Sequence, residues 1–292
     1  MTRTAGAQIG CQRPSRFWGL GCPKIYHEAE DTLAQSIFLP FYTFTHQTLD
    51  THSSKTCVIR WKGMLTLTTE LQESAMSALP KYVHVDHRII TGIIDRLSNK
   101  NSASEWLRWM IDDVLADLTG QEKQYPPPRD ALFDLRELGK LYGQAVFYCT
   151  PYTDLFGLIY MDLASRSTKS GLGQFFTPQV VTDMMAKMVG HQAKLPKDRL
   201  LTCLEPCCGS GVMLLSFARQ IYADHGPGGL SRCGLYAIDL DITCCCMTAA
   251  QLLANAYIHE APYGELLVLR GNALADSEGW ITVVHATHPE LE

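Results

Sequence analysis

Two kinds of hydrophobic pattern divide this chain. From about Leu65 to Tyr148 apolar residues recur at helical spacing. Ile90, Ile93, Ile94 and Leu97 share one face of ITGIIDRLSNK. Trp106, Leu107, Met110, Ile111, Val114, Leu115 and Leu118 share one face of SEWLRWMIDDVLADL, with Ser104 as the expected N-cap. Pro126, Pro127 and Pro128 then break the chain before a third helix, ALFDLRELGKLYGQAVFY. After about residue 195 short apolar runs alternate with helical stretches. LLTCLEP, LYAIDLD, ELLVLRGNA and WITVVHATHP read as strands, and VMLLSFARQIYADHG and CCCMTAAQLLANAYIHE as helices. That alternation predicts right-handed βαβ units with a parallel sheet buried between helices. The first 60 residues or so hold no sustained period. Residues 1–63 are therefore read as an irregular extension, or as sequence upstream of a start at Met64 or Met76. A helical unit over 64–150 and an α/β unit over 151–292 follow.

Composition adds limits to this outline. The chain has 292 residues, 46% hydrophobic and 19% charged, enough to bury a core in one or two domains. It holds no uninterrupted apolar run of about 18 residues and no basic, apolar, small-residue leader, so a cytoplasmic protein with neither membrane span nor signal peptide is expected. A formal net charge of -5 excludes a basic nucleic-acid coat, so any contact with DNA must be local or supplied by a partner. The eleven cysteines include Cys207-Cys208 and Cys244-Cys245-Cys246, without the paired spacing of zinc ligands. They are read as reduced packing residues, and no metal site is expected.

The candidate chemistry lies in LEPCCGSG, Leu204 to Gly211. In a βαβ unit the turn after the first strand carries glycines, because there the backbone must approach a nucleotide-like ligand while turning into a helix. Gly209 and Gly211 fit that position; Ser210 and the amides opening the next helix can donate hydrogen bonds, and Glu205 offers a carboxylate. About 30 residues on, Asp239 closes LYAID, where doubly wound folds set an acid against ribose hydroxyls. The alternative for Asp239 is a helix cap, a role open to Asp241 as well. Asn272, after the third strand, can donate to and accept from an adenine edge, or it can simply form a turn. The GxGxxG spacing that a dinucleotide pyrophosphate requires is missing, which argues against a dehydrogenase.

Together these motifs resemble a known family. GLGQFFTPQVVTDMMAKMV, LEPCCGSG, LYAIDLD and RGNA are similar to the N6-adenine DNA methyltransferases of type I restriction-modification systems, the modification subunits. The resemblance runs from about Tyr152 onward and more loosely from about residue 80. It implies an α/β protein: a helical N-terminal region, then a Rossmann-like S-adenosylmethionine-dependent methyltransferase domain that stops short at its C-terminal side. It further implies S-adenosylmethionine as cofactor, the exocyclic amine of adenine in DNA as acceptor, and a separate specificity subunit or another chain to read the DNA. By position, Gly173, Gln174, Phe175, Phe176, Thr177 and Pro178 match the block lining the methionine end of the cofactor. Glu205, Pro206, Cys208, Gly209, Ser210 and Gly211 match the glycine turn, Asp239 the ribose acid, and Asn272 the residue near the cofactor's adenine. Asp154, Gly157 and Tyr160 match the helix preceding the GQFFTP block.

The sequence departs from the family at one place. The catalytic loop of Asn or Asp, two prolines and an aromatic should follow a fourth parallel strand. With WITVVHA taken as that strand, Thr287 stands at the Asn position, His288 and Pro289 at the prolines and Glu290 at the aromatic. A hydroxyl is a poorer acceptor for the adenine amine than an amide oxygen, and a glutamate offers no ring for a flipped base to stack on. Three further strands and a DNA-binding surface are also expected of such an enzyme, and an uncovered sheet edge calls for another chain or a dimer. Two readings follow: an adenine-specific DNA methyltransferase working with other polypeptides, or a catalytically degenerate S-adenosylmethionine-binding module that regulates or pairs with one.

Overall fold

The computed structural model describes residues 43–51, 54–62, 86–166, 176–190 and 195–288. Strands β1 (Thr43–Thr51) and β2 (Ser54–Lys62) pair antiparallel as a hairpin. For these two segments it corrects the irregular extension expected over residues 1–63. TFTHQTLDT and SKTCVIRWK are rich in threonine and other β-branched residues, and only two residues separate them. Their mixture of polar and apolar positions carries little period, so hydrophobic patterning alone does not mark the hairpin. Gln174 and Phe175 of the GQFFTP block, and Pro289 and Glu290, lie outside the described residues.

From residue 86 onward the chain is helical as expected; residues 63–85, the first part of the expected helical unit, lie outside the described residues. Helix α1 (His87–Leu97) is capped by the Asp86 carboxylate, which accepts the Arg88 amide at 2.7 Å. Helix α2 (Ala103–Thr119) starts at Ser102 rather than Ser104. Ser102 Oγ accepts the Glu105 amide and the Glu105 carboxylate accepts the Ser102 amide at 2.8 Å, a reciprocal box that only Ser102 can form with a glutamate three residues on. Trp106 buries its ring and donates Nε1–H to the Leu97 carbonyl at 3.1 Å, tying α2 to the end of α1. Helix α3 (Leu132–Tyr148) begins after the prolines. Its Tyr142 stacks on Phe156 of α4 (Leu155–Arg166) with ring centres 4.3 Å apart.

Helix α5 (Gln179–Gly190) leads to the α/β region: β3 (Leu201–Glu205), α6 (Val212–His225), the short α7 (Pro227–Leu230), β4 (Cys233–Asp239), α8 (Ile242–Ile258), β5 (Glu265–Arg270) and β6 (Ile281–Thr287). The sheet runs β1-β2-β6-β5-β4-β3. Strands β3, β4 and β5 are parallel neighbours in sequence order, as a Rossmann-like half-sheet requires.

The direction of β6 is a second correction. It pairs antiparallel with β5, Ile281 opposite Arg270 and Thr287 opposite Glu265, and is parallel only to β2. A parallel neighbour needs a crossover of about a dozen residues or more. The loop 271–280 is shorter than that and turns the chain straight back along β5.

Helix α8 is the centre of the molecule. Cys244 to Ala256 are all buried, between β4, β5 and β6 on one side and α2, α3 and α4 on the other. A helix enclosed on every side is apolar over most of its surface, as CCCMTAAQLLANAYI is apart from Thr248, Gln251 and Asn255. Its cysteines act as small apolar residues, and burial pushes the Cys246 thiol up to about 12. The helices of residues 86–166 and the sheet share one continuous core, from Ile90 to Ala286, so no second core separates 64–150 from 151–292 among the described residues. No described helix is long and apolar enough to cross a membrane.

Candidate functional site

The C-terminal ends of β3, β4 and β5 form one edge, where three loops meet. After β3 the chain turns through Pro206–Gly211 into α6. Gly209 has φ 54° and Gly211 φ 91°, backbone that other residues rarely adopt. A Cβ on Gly209 would lie 3.1 Å from the Phe176 ring, and one on Gly211 2.9 Å from Thr248 Oγ1. Both glycines are therefore required by close packing as well as by conformation. The turn is closed by the Gly211 amide donating to the Cys208 carbonyl at 2.7 Å, and it is tied to β4 by the Cys208 amide on the Ile238 carbonyl at 2.9 Å.

Asp239 organises this edge. Its Oδ2 accepts the Gly209 amide and its Oδ1 the Asp241 amide, each at 2.9 Å. The helix-capping role falls instead to Asp241, whose carboxylate accepts the Thr243 amide at 2.8 Å. Asp239 thus keeps lone pairs on both oxygens for a ligand's hydroxyls. The Gly271 amide donates to the Asp239 carbonyl at 2.9 Å, which brings the loop after β5 beside it. In that loop Asn272 is exposed and its Oδ1 accepts the Leu274 amide at 3.0 Å, the turn-forming alternative, with its side-chain NH2 still unused in that turn. Glu205 folds back to accept the Cys207 amide at 3.1 Å.

Two expected ligand contacts are corrected by burial. Ser210 Oγ faces the interior and donates to Asp154 Oδ2 at 2.7 Å, so it is unavailable to a ligand. The Cys208 side chain is buried too, against Cys245. Both side chains anchor the turn from below, leaving main-chain groups on its outer side. Helix α6 begins at Gly211 with no side-chain cap, so the amides of its first turn are free of one, as an anionic group at a helix N-terminus would need. Phe176 lies between Gly209 and Tyr160, whose ring centre is 4.8 Å from its own, while Thr177 and Pro178 are exposed at the start of α5.

Beneath the turn lies a buried polar network that hydrophobic patterning did not anticipate. Asp154 accepts from Ser210, from the Gly157 amide at 2.9 Å and from Gln251 Nε2 at 2.9 Å. Burial raises the Asp154 pKa, and these donors oppose that rise. Gln251 Nε2 also reaches the Ser210 carbonyl at 2.7 Å, and its Oε1 accepts the Phe156 amide at 3.0 Å. Asn255 Oδ1 accepts the Tyr152 amide at 2.6 Å, holding that residue at φ 63°. Arg219 closes the network through the Pro151 and Tyr152 carbonyls and Asp183. A Cβ on Gly157 would collide with the Asp154 carboxylate, which explains the glycine there. One signal was present in the sequence: Thr248, Gln251 and Asn255 stand three and four apart in an otherwise apolar helix, a polar stripe on one face.

Thr287 is not part of this edge. Because β6 runs antiparallel, Thr287 pairs with Glu265 at the start of β5, at the opposite end of the sheet from Gly209, Asp239 and Asn272. The other charged cluster of the sheet lies at that far end, where Glu265 accepts from Tyr236 Oη at 2.5 Å and pairs with His285 at 2.9 Å. Among the described residues no group of three or more His, Cys, Asp or Glu is arranged to hold a metal ion.

Residues 152–285 match the N-6 DNA Methylase family. Among solved structures, a Listeria monocytogenes protein assigned to the class I S-adenosylmethionine-dependent methyltransferases is similar at 13% identity and a TM-score of 0.37, over 65% of this chain and 54% of that one. The type I restriction-modification system methyltransferase subunit of Streptococcus thermophilus is similar at 17% identity and a TM-score of 0.32, over 71% of this chain and 43% of that one. The chain thus spans about half the length of the structures it matches. No curated protein matches it.

Proposed function

We propose that this chain, whose residues 152–285 match the N-6 DNA Methylase family, holds S-adenosylmethionine on the edge formed by β3, β4 and β5 and is the cofactor-binding part of an adenine-specific DNA methyltransferase. The observation that carries this reading is the bond from the Gly209 amide to Asp239: it locks the glycine turn and the acid suited to a ribose into one unit. In this assignment Asp239 accepts the ribose hydroxyls, and the uncapped amides of α6 meet the cofactor's carboxylate. Phe176 walls the methionine end, beside Thr177 and Pro178; Gln174 and Phe175, outside the described residues, are assigned there by the resemblance alone. Asn272 offers its NH2 to the adenine ring. Bound there, the cofactor would supply a methyl group on a cationic sulfur, and the chain's own task is to orient it and exclude water from one side. The acceptor is the exocyclic amine of an adenine taken out of its stack. DNA and a specificity subunit or other chain are the partners this reading requires.

A second reading is favoured by the position of Thr287: a module that binds the cofactor without transferring its methyl group. Thr287 pairs with Glu265 at the sheet end away from the glycine turn, so Thr287 is not assigned the catalytic-loop role in either reading; Pro289 lies outside the described residues. Two measurements separate the possibilities. Calorimetry with S-adenosylmethionine should show binding to the wild type that Asp239→Ala weakens, and a wild type that does not bind removes both readings. Transfer of a tritiated methyl group to adenine-containing DNA by this chain alone would exclude the second.

A further inference from the structure

We infer that Tyr160 is a further ligand-binding residue of the same edge, its hydroxyl donating to the sugar of the nucleoside that Asp239 holds; this rests on the cofactor reading above. Tyr160 lies in the second turn of α4. Its ring packs on Phe176, with centres 4.8 Å apart, and Phe176 in turn lies against Gly209. On its other side stand Asp241, the cap of α8, and Cys244 in the first turn of that helix, close enough to act on the hydroxyl electrostatically. Asp241 is bound to the acid of the edge, since Asp239 Oδ1 accepts its amide at 2.9 Å. Tyr160 therefore adjoins both parts of the proposed site, the glycine turn through Phe176 and the acid through Asp241.

The hydroxyl has nothing in the protein to do. Tyr160 is only 4% exposed, yet among the described residues its Oη has no hydrogen-bond partner. Burying a hydroxyl costs free energy unless a partner bonds it, so a group of this kind marks the place of one. Tyr142 on the neighbouring α3 shows the contrasting case, a hydroxyl sealed inside the core with no partner and no access. The Tyr160 hydroxyl is not sealed in that way, and it keeps an open side beside the edge.

The chemistry of this corner selects the partner. Burial above all, with Cys244 and Asp241 adding to it, raises the Tyr160 pKa, so the hydroxyl stays protonated at neutral pH and acts as a donor. The carboxylates of Asp239 and Asp241 are acceptors only. A phosphate or a carboxylate of the ligand would be repelled by them, which leaves a neutral oxygen as the group that fits. A sugar hydroxyl meets both demands at once: it donates its proton to Asp239 and accepts one from Tyr160 on a lone pair. The adenine ring is assigned to Asn272, after β5, and so does not compete for this donor.

Tyr160→Phe keeps the ring on Phe176 and removes only the hydroxyl. In calorimetry it should weaken S-adenosylmethionine and 5′-methylthioadenosine, which lacks the amino-acid tail, by the same factor of about 3- to 10-fold. With 2′,3′-dideoxy-5′-methylthioadenosine, which lacks the sugar hydroxyls, wild type and variant should show no difference. The urea midpoint of the variant should equal or exceed that of the wild type, because no bond within the protein is lost; a hydroxyl with a structural role would lower it. Equal affinity of wild type and variant for S-adenosylmethionine overturns the assignment and leaves the cofactor reading standing. A loss confined to S-adenosylmethionine, a loss that persists with the dideoxy probe, or a lowered midpoint overturns it equally. A wild type that does not bind S-adenosylmethionine removes the cofactor reading and the role of Tyr160 together.

Discussion

The main-chain amide of Gly209 donates to Oδ2 of Asp239 at 2.9 Å, joining two residues 30 positions apart at the ends of neighbouring parallel strands. One carboxylate thereby fixes the glycine turn and faces the same edge as the proposed cofactor. A charge-assisted hydrogen bond of this type contributes about 1.5–3 kcal/mol. Asp239→Ala should therefore weaken S-adenosylmethionine binding by about 10- to 100-fold in calorimetry. Asp239→Asn, which keeps an acceptor, should lose less.

Gly211 is held at φ 91° against Thr248. Gly211→Ala should destabilise the protein by about 1–3 kcal/mol in urea unfolding, from backbone strain and the contact together. Adding Thr248→Ala should recover the contact part and leave the strain, so the two substitutions will be non-additive.

The buried network under the turn is most sensitive at Gln251, which bonds Asp154, Ser210 and Phe156 at once. Gln251→Leu removes those partners and leaves the Asp154 carboxylate short of a donor. It should cost about 3 kcal/mol or more, against about 1–3 kcal/mol for Ser210→Ala, read from the denaturant midpoint.

His259, which ends α8 between the rings of Tyr152 and Tyr222, has its pKa lowered by burial to about 4 from an ordinary 6.5. The unfolded chain takes up this proton near pH 6.5 and the folded chain only near 4, so stability present above that range is lost as pH falls through it. The loss should be about 1–3 kcal/mol. His259→Phe keeps a ring in place and should flatten the difference between urea unfolding at pH 7 and pH 5.

Thr287 lies at the end of the sheet opposite the glycine turn. Thr287→Asn, which sets an asparagine where the resemblance aligns a catalytic loop, should leave methyl transfer to DNA at the wild-type level in the tritium assay. A gain would mean that β6 can occupy a different place from the one it has here.

Much of the site was legible because its chemistry is local. Gly209 and Gly211 in a strand-turn-helix frame, and Asp239 at the next strand end, declare themselves by residue type and spacing, and the structure brings them within one hydrogen bond of each other. The N-cap of α2 could have been read as well, since Ser102 and Glu105 have the spacing of a capping box and Ser104 does not. Ser210 could not. A serine in a glycine turn is polar in either direction, and only the approach of Asp154 from 56 residues earlier turns it inward.

The sequence by itself determined the order of elements, three parallel strands separated by helices, and the glycine turn with its acid, because periodicity, capping and turn chemistry act over a few residues. The tertiary structure alone decided which neighbour β6 takes and in which direction, and hence that Thr287 lies far from the turn. It alone added the hairpin to the sheet and drew Asp154, Ser210 and Gln251 into one buried network. Those outcomes depend on loop length and on contacts between residues far apart in the chain, where a short apolar run or a single polar side chain has no directional signal of its own.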